Sequence, residues 1–212
     1  MKKILILGIS SFSGASLAGY LSKKNFLIFG TFSKEKNKYY LPFDRKKIKM
    51  FKINLLKDDK KLALLINKIR PNIIIDHASL CMVPQSWSQP EKYFKINVDS
   101  KINLIKSLKG KKFLKKYIYI STPEIFGSKI RKVDEFSSDF SPSTPYACSK
   151  LASEYHFNQA LRDHKFPVII SRFSNFYGPG QPIYRLIPKV IMSINKKKRF
   201  PLEGNGASTR NF

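Results

Sequence analysis

Lys3-Ile4-Leu5-Ile6-Leu7-Gly8-Ile9-Ser10-Ser11-Phe12-Ser13-Gly14 opens the chain with an apolar run, a turn bounded by two glycines, and the start of a segment with helical period. An apolar run without polar alternation reads as a strand buried on both faces, as in parallel sheets. Gly8 permits the tight turn that follows, and Gly14 lets the next helix pack close to the strand while its free N–H groups face outward. Ser11 takes the middle position, where glycine is usual, and adds a side chain at the point of closest backbone approach. Phe12 and Ser13 carry the chain into the helix. Between a strand and a helix, such a turn cradles the pyrophosphate of a dinucleotide.

The same alternation continues outward. Strands are predicted at Ile4–Leu7, Phe26–Thr31, Ile48–Ile53, Ile73–Asp76, Tyr117–Ser121 and Val168–Arg172. Helices are predicted between and after them at Gly14–Ser22, Lys60–Ile69, Pro90–Leu108, Ala147–Asp163 and Leu186–Ile194. Apolar runs alternating with helical segments give an α/β chain with a doubly wound parallel sheet, the Rossmann architecture. Tyr177-Gly178-Pro179-Gly180-Gln181-Pro182 reads as a turn-rich hinge. Residues 1–176 are therefore expected to form the dinucleotide-binding domain with the catalytic residues, and residues 177–212 to begin a smaller lobe.

Composition narrows the function. The 212 residues are 42% hydrophobic, with two cysteines and ten glycines, which excludes a disordered, collagenous or disulfide-stapled chain. Cys81 and Cys148 stand singly, with no Cys or His at metal-ligand spacing, so no metal site is expected and the reading is a reduced, cytoplasmic protein. No stretch approaches the roughly eighteen apolar residues that cross a bilayer. The net charge of +26 points first to nucleic acid, but only eight of the forty basic residues are arginine and the lysines are scattered. Groove readers lean on arginine for bidentate contacts, so specific nucleic-acid binding is not expected.

After the second strand, an acidic residue would hold the adenosine ribose of NAD. Thr31-Phe32-Ser33-Lys34 stands there instead, and Ser33 with Lys34 suits a 2′-phosphate, favouring NADP over NAD as the cofactor. Asn54-Leu55, at the end of the third strand, is expected along the adenine edge.

Tyr146-Ala147-Cys148-Ser149-Lys150 puts a phenol and an ammonium four residues apart at a helix start, hence on one face. A lysine beside a tyrosine stabilises the phenolate, and the phenol's pKa is expected to fall toward working pH. Upstream, Ser121-Thr122-Pro123-Glu124 follows a strand, where a hydroxyl can share a hydrogen bond with a substrate oxygen. The glycine turn, the strand-end Ser-Thr and Tyr-x-x-x-Lys occur in the order that a dinucleotide-dependent oxidoreductase chemistry needs.

With these motifs the chain resembles the extended short-chain dehydrogenases/reductases, and among them the nucleotide-sugar 4,6-dehydratases. The resemblance runs from Lys3 to Phe212 and includes Ile75-Asp76-His77-Ala78-Ser79, Val83-Pro84-Gln85-Ser86-Trp87-Ser88-Gln89-Pro90, Asn97-Val98, Ser143-Thr144-Pro145-Tyr146, Arg172-Phe173-Ser174-Asn175-Phe176-Tyr177-Gly178-Pro179 and the closing Gly204-Asn205-Gly206-Ala207-Ser208-Thr209-Arg210-Asn211-Phe212. It implies NAD or NADP held with the help of Ala78 and Ser79, and a nucleotide-sugar substrate contacted by Ser86, Asn175, Leu186 and Arg210. It also implies a homodimer through helices that include Pro90–Leu108 and Ala147–Asp163. Relatives continue past the Arg-Asn-Phe motif, so the substrate lobe is expected to be truncated.

The implied chemistry is oxidation of the sugar C4 hydroxyl, with Tyr146 taking the proton and Thr122 and Lys150 steadying the oxygen. Glu124 then removes the C5 proton as water leaves C6, and the hydride taken from C4 returns to C6, giving a 4-keto-6-deoxy sugar. Pro123 departs from the pattern: relatives acting on dTDP-glucose carry an aspartic acid there, and proline donates nothing. Leu80 and Ser100 also depart from the family's usual residues. A C4 epimerase, a 4-keto reductase, a UDP-uronate decarboxylase and an inactive dinucleotide-binding fragment stay open on the same scaffold. His77 reads as a packed or solvent-bonded histidine, Trp87 as pocket wall or core, and Asn97 as a stabiliser of the active-site helix through a main-chain contact.

Overall fold

The computed structural model describes residues 1–33, 42–127 and 133–200. Six strands form a single parallel sheet: β1 (Lys2–Leu7), β2 (Phe26–Phe32), β3 (Lys49–Lys52), β4 (Ile73–Asp76), β5 (Lys116–Ser121) and β6 (Val168–Arg172). Their order is β3-β2-β1-β4-β5-β6, so the direction of winding reverses between β1 and β4. Leu7 pairs with Thr31 on one side and with Asp76 on the other. In a sheet of this order, ligands bind at the carboxyl ends of the strands where the winding reverses.

Alternation along β1 explains why the run is continuously apolar. Leu5 and Leu7 pack into the core under α2 (Asp59–Ile69), α5 (Ser100–Leu108) and α6 (Pro145–His164), whereas Ile4 and Ile6 face the opposite layer, which holds α1 (Phe12–Leu21). All four are essentially inaccessible to water. At about 25 cal/mol per Å² of apolar surface, burial on both faces makes this central strand a main source of the fold's stability.

Helix limits follow their caps. α1 begins at Phe12 rather than Gly14, because Ser11 caps it by accepting a hydrogen bond from Gly14 N at 3.1 Å. α6 begins at Pro145 rather than Ala147: Thr144 caps it and proline fits the first turn, where no N–H is needed. It closes at Lys165 in the left-handed conformation, φ 51°.

The segment predicted as one helix, Pro90–Leu108, is interrupted. α4 (Pro90–Phe94) follows α3 (Val83–Ser88), and a π-helical turn, Lys95–Asp99, joins α4 to α5. α7 (Leu186–Asn195) lies beyond β6 and buries none of its residues fully. Among the described residues no helix is long and apolar enough to cross a membrane. Trp87 is 63% exposed and does not fill the core.

Candidate active site

The glycine turn closes on itself before α1 begins. Ser11 N donates to Gly8 O at 2.9 Å, and Gly8 holds φ +75°, a region in which a side chain is strained. A Cβ on Gly14 would stand 2.5 Å from Gly8 O, so the helix approaches the turn as closely as only glycine allows. A Cβ on Gly8 would meet the backbone of Ala78 at 3.0 Å, which shows how tightly the end of β4 packs against the turn. Ser11 caps the helix at this turn, and Phe12 and Ser13 form its first residues. Phe12 stacks on Phe176 at 5.8 Å between ring centroids, so the loop after β6 lies over the turn.

Two strands away, Thr122 directly follows β5 and caps the 3-10 helix Pro123–Phe126, accepting from Glu124 N at 3.3 Å. That cap keeps Glu124 beside Thr122, with its side chain exposed. Tyr146, in the first turn of α6, is buried, and the nearby Thr122 hydroxyl favours its phenolate. Tyr93 meets the Tyr146 ring edge-on at 6.4 Å and donates its own hydroxyl to Met82 O at 2.5 Å. Lys150 lies one turn further along α6 and is 1% exposed. Its Nζ donates to Ile120 O at 2.6 Å and stands 4.1 Å over the Tyr119 ring.

The electrostatics differ from the sequence expectation. Burial pushes the Tyr146 phenol well above its ordinary pKa, with Cys81 and Glu124 acting the same way against Thr122 and the Arg185 guanidinium. Burial also pushes the Lys150 ammonium down to about 7, reinforced by the positive charge of Lys101 and opposed by Asp76 and Glu154. The expected acidification of the phenol by Lys150 is thus not found. The buried ammonium is spent on a carbonyl, and desolvation outweighs the pairing.

A buried network braces the end of β4. Lys101 Nζ lies 2.8 Å from Asp76 Oδ2 and donates to Ala78 O at 2.7 Å, while Tyr117 OH donates to Asp76 Oδ2 at 2.6 Å and Ala78 N to Asp76 Oδ1 at 3.0 Å. The π-helical turn braces α6 from the other side. Asn97 accepts from Leu80 N at 2.9 Å and donates to Leu80 O at 3.1 Å and to Ser149 Oγ at 2.9 Å. Ser153 Oγ donates to Asn97 O, the main-chain tie expected of Asn97. π-turns occur where a helix is bent to serve a site, and here the bend ties α6 to the loop after β4.

The other expected positions divide. Ala78 and Ser79 follow β4, half-buried, beside the glycine turn. Asn54 stands at the end of β3, with Oδ1 accepting from Leu56 N at 3.0 Å, while Leu55 packs against the larger core. Ser33 is exposed after β2. Asn175 and Leu186 are exposed beyond β6. Ser86, expected at the substrate, is fully buried and donates to Val83 O at 2.7 Å, so its hydroxyl serves the first turn of α3. Lys34 and Arg210 lie outside the described residues.

The sequence reading missed the Asp76–Lys101–Tyr117 network, and also Cys81 and Arg185, which influence Tyr146. The Arg185 guanidinium lies 3.7 Å from Cys81 Sγ.

Comparison with known proteins agrees with this geometry. Residues 4–212 match the model of the NAD dependent epimerase/dehydratase family. A dTDP-D-glucose 4,6-dehydratase of Dictyostelium discoideum is 32% identical over 100% of this chain and 52% of its own length, and one of Homo sapiens is 32% identical over 73% and 44%. The chain spans about half the length of the curated relatives it matches. The solved UDP-glucuronic acid 4-epimerase of Bacillus cereus, in complex with UDP-glucuronic acid and NAD, superposes with TM-score 0.86 at 26% identity, over 98% of this chain and 68% of that one. With the match extending over residues 4–212, this chain belongs to the NAD dependent epimerase/dehydratase family.

Proposed function

We propose that this chain binds a nicotinamide dinucleotide along the carboxyl ends of β1, β2 and β4 and oxidises C4 of a nucleotide-linked hexose, with water then eliminated to give a 4-keto-6-deoxy sugar. The observation that carries the reading is the buried Tyr146 phenol, on whose ionisation both the Thr122 hydroxyl and the exposed carboxylate of Glu124 act. Gly8, Gly14 and the first turn of α1 would hold the pyrophosphate, and the free N–H groups of the helix would neutralise part of its charge. A bound dinucleotide would supply, when oxidised, a positive charge and the acceptor for the C4 hydride, and would give that hydride back to C6 as C5 regains a proton, so that the elimination ends at the 4-keto-6-deoxy sugar.

Tyr146 takes the proton of the 4-hydroxyl, and Thr122 donates to the oxygen as charge develops there. Because burial holds the phenol's pKa high, its ionisation depends on the groups that favour the phenolate, the Thr122 hydroxyl and the Arg185 guanidinium, and on the positive charge that an oxidised dinucleotide would add. Glu124, reached by solvent and fixed at the start of its 3-10 helix, removes the C5 proton once C4 is a ketone. Pro123 offers no proton to the departing hydroxyl, so Glu124 returns the proton it has taken or water delivers one.

The substrate we propose is dTDP-glucose, because the curated relatives named above are dTDP-glucose dehydratases. Ser33, with no acidic residue after β2 through Lys34, supports NADP as the preferred dinucleotide. A second reading, C4 epimerisation, is favoured by Pro123 and by the epimerase of known structure. Incubation of the purified chain with NAD or NADP and a panel of dTDP-, UDP- and GDP-hexoses separates these readings. Loss of one water from the sugar supports dehydration, an isobaric epimer supports the second reading, and no turnover with any pair contradicts both.

A further inference from the structure

His77 is the first residue past the pairing of β1 with β4, at the reversal of sheet winding. Its backbone N–H donates to Leu7 O at 3.0 Å, and its carbonyl carbon lies 3.2 Å from where a Cβ on Gly8 would stand. The side chain is equally committed on one side: Nδ1 lies 2.9 Å from Ser13 Oγ, in the first turn of α1. The other ring nitrogen, Nε2, is buried and has no hydrogen-bond partner among the described residues. Leaving such an atom unsatisfied costs about 1–3 kcal/mol, and orphaned buried groups in native folds call for an explanation.

We propose that His77 is a dinucleotide-binding residue, its Nε2–H donating to a pyrophosphate or adjoining ribose oxygen held over the glycine turn. The inference rests on the dinucleotide-binding reading above and adds to it a residue that no motif assigned. Three observations support it. The residue lies against the turn itself, its backbone at Gly8 and its ring at Ser13 in the first turn of α1. Ser13 can donate its hydroxyl proton to Nδ1, which places the ring's own proton on Nε2. Burial, with Lys150 acting the same way against Asp76, pushes the imidazole down to about 4, so the ring stays neutral and has one N–H to offer. A neutral donor suits a crevice that already carries the Lys150 ammonium and the positive end of α1.

The test is titration calorimetry of the full 212-residue chain with NAD and with NADP, comparing His77→Leu and His77→Gln. Loss of a hydrogen bond to a charged oxygen predicts roughly tenfold weaker binding for His77→Leu. His77→Gln, whose amide can donate from a similar reach, is expected within about threefold of the parent. Nitrogen-15 spectra of the histidines provide a readout that does not depend on the variants folding. Dinucleotide should shift the His77 Nε2 resonance while the ring stays in the Nε2–H tautomer. Unchanged affinity in His77→Leu, or a ring held as the Nδ1–H tautomer and unmoved by dinucleotide, overturns the proposal while leaving dinucleotide binding intact. A parent chain that binds neither dinucleotide overturns the dinucleotide-binding reading and this inference with it.

Discussion

Lys101 Nζ and Asp76 Oδ2 stand 2.8 Å apart with their side chains 1% and 0% exposed, a fully buried ion pair directly beneath the residues that line the glycine turn. The carboxylate is further satisfied by Tyr117 OH and Ala78 N, and the ammonium by Ala78 O. Replacing such a pair as a unit is often tolerated, whereas removing one partner strands a charge. Lys101→Met is therefore expected to destabilise the chain by about 3–5 kcal/mol, read from urea unfolding. Asp76→Asn combined with Lys101→Met should recover part of that loss. A Lys101→Met variant as stable as the parent contradicts the account of β4.

Lys150 titrates near neutrality because it is buried beside Lys101. In the unfolded chain it binds a proton up to about pH 10.5, in the folded chain only up to about 7. Between those values the unfolded state holds the extra proton, so this group's contribution makes stability rise with pH, by at most about 1.4 kcal/mol per unit. Below pH 7 both states are protonated and the contribution is flat at its least favourable. The difference in unfolding free energy between the parent and Lys150→Met, followed from pH 6 to pH 10, checks this. A difference independent of pH would show that Lys150 keeps an ordinary pKa.

Two glycine substitutions should separate binding from folding. Gly14→Ala forces Gly8 O away from its present place in the turn, so dinucleotide affinity should drop at least tenfold. Gly30→Ala in β2 instead drives a methyl into the side chain of Ile9, which is fully buried. Overpacking of that kind costs roughly 1–3 kcal/mol and should lower the melting temperature. Calorimetric titration and thermal melts of both variants distinguish the outcomes. Equal loss of affinity in the two would deny the turn its special role.

Cofactor choice depends on the residues after β2. Ser33→Asp puts a carboxylate where a 2′-phosphate is proposed to lie, so the ratio of NADP to NAD affinity should fall about tenfold or more, measured by competition binding. An unchanged ratio would place the discriminating contact elsewhere.

The strands were readable because each is a short apolar run ended by a turn, and five of six begin or end on the predicted residue: Leu7, Phe26, Ser121 and both ends of β4 and of β6. β3 is shorter than Ile48–Ile53 because Ile48 and Ile53 flank the ladder while remaining buried. The break in Pro90–Leu108 was not legible. It arises from hydrogen bonds between Asn97 and Leu80, Ser149 and Ser153, residues 17 to 56 positions away, which no local period encodes. α3 was missed because Val83-Pro84-Gln85-Ser86-Trp87-Ser88 has no apolar stripe.

The site divides along the same line. Tyr146, Lys150, Thr122 and the glycines follow motif spacing. The partner that Asp76 finds in Lys101, and the bond of His77 to Ser13 across 64 residues, exist only once β4 lies against β1. The pKa of Tyr146 was misjudged for the same reason: spacing showed a neighbouring ammonium but not the burial that outweighs it.

The central claim is that Tyr146 initiates oxidation at C4 and Glu124 redirects it to elimination. It is tested most directly with dTDP-glucose deuterated at C4, incubated with the chain and its dinucleotide. The account predicts a product lighter by one water with deuterium at C6, no label transfer with Tyr146→Phe, and reduced dinucleotide without water loss with Glu124→Gln. Deuterium retained at C4 in every product, or label transfer undiminished in Tyr146→Phe, would contradict it.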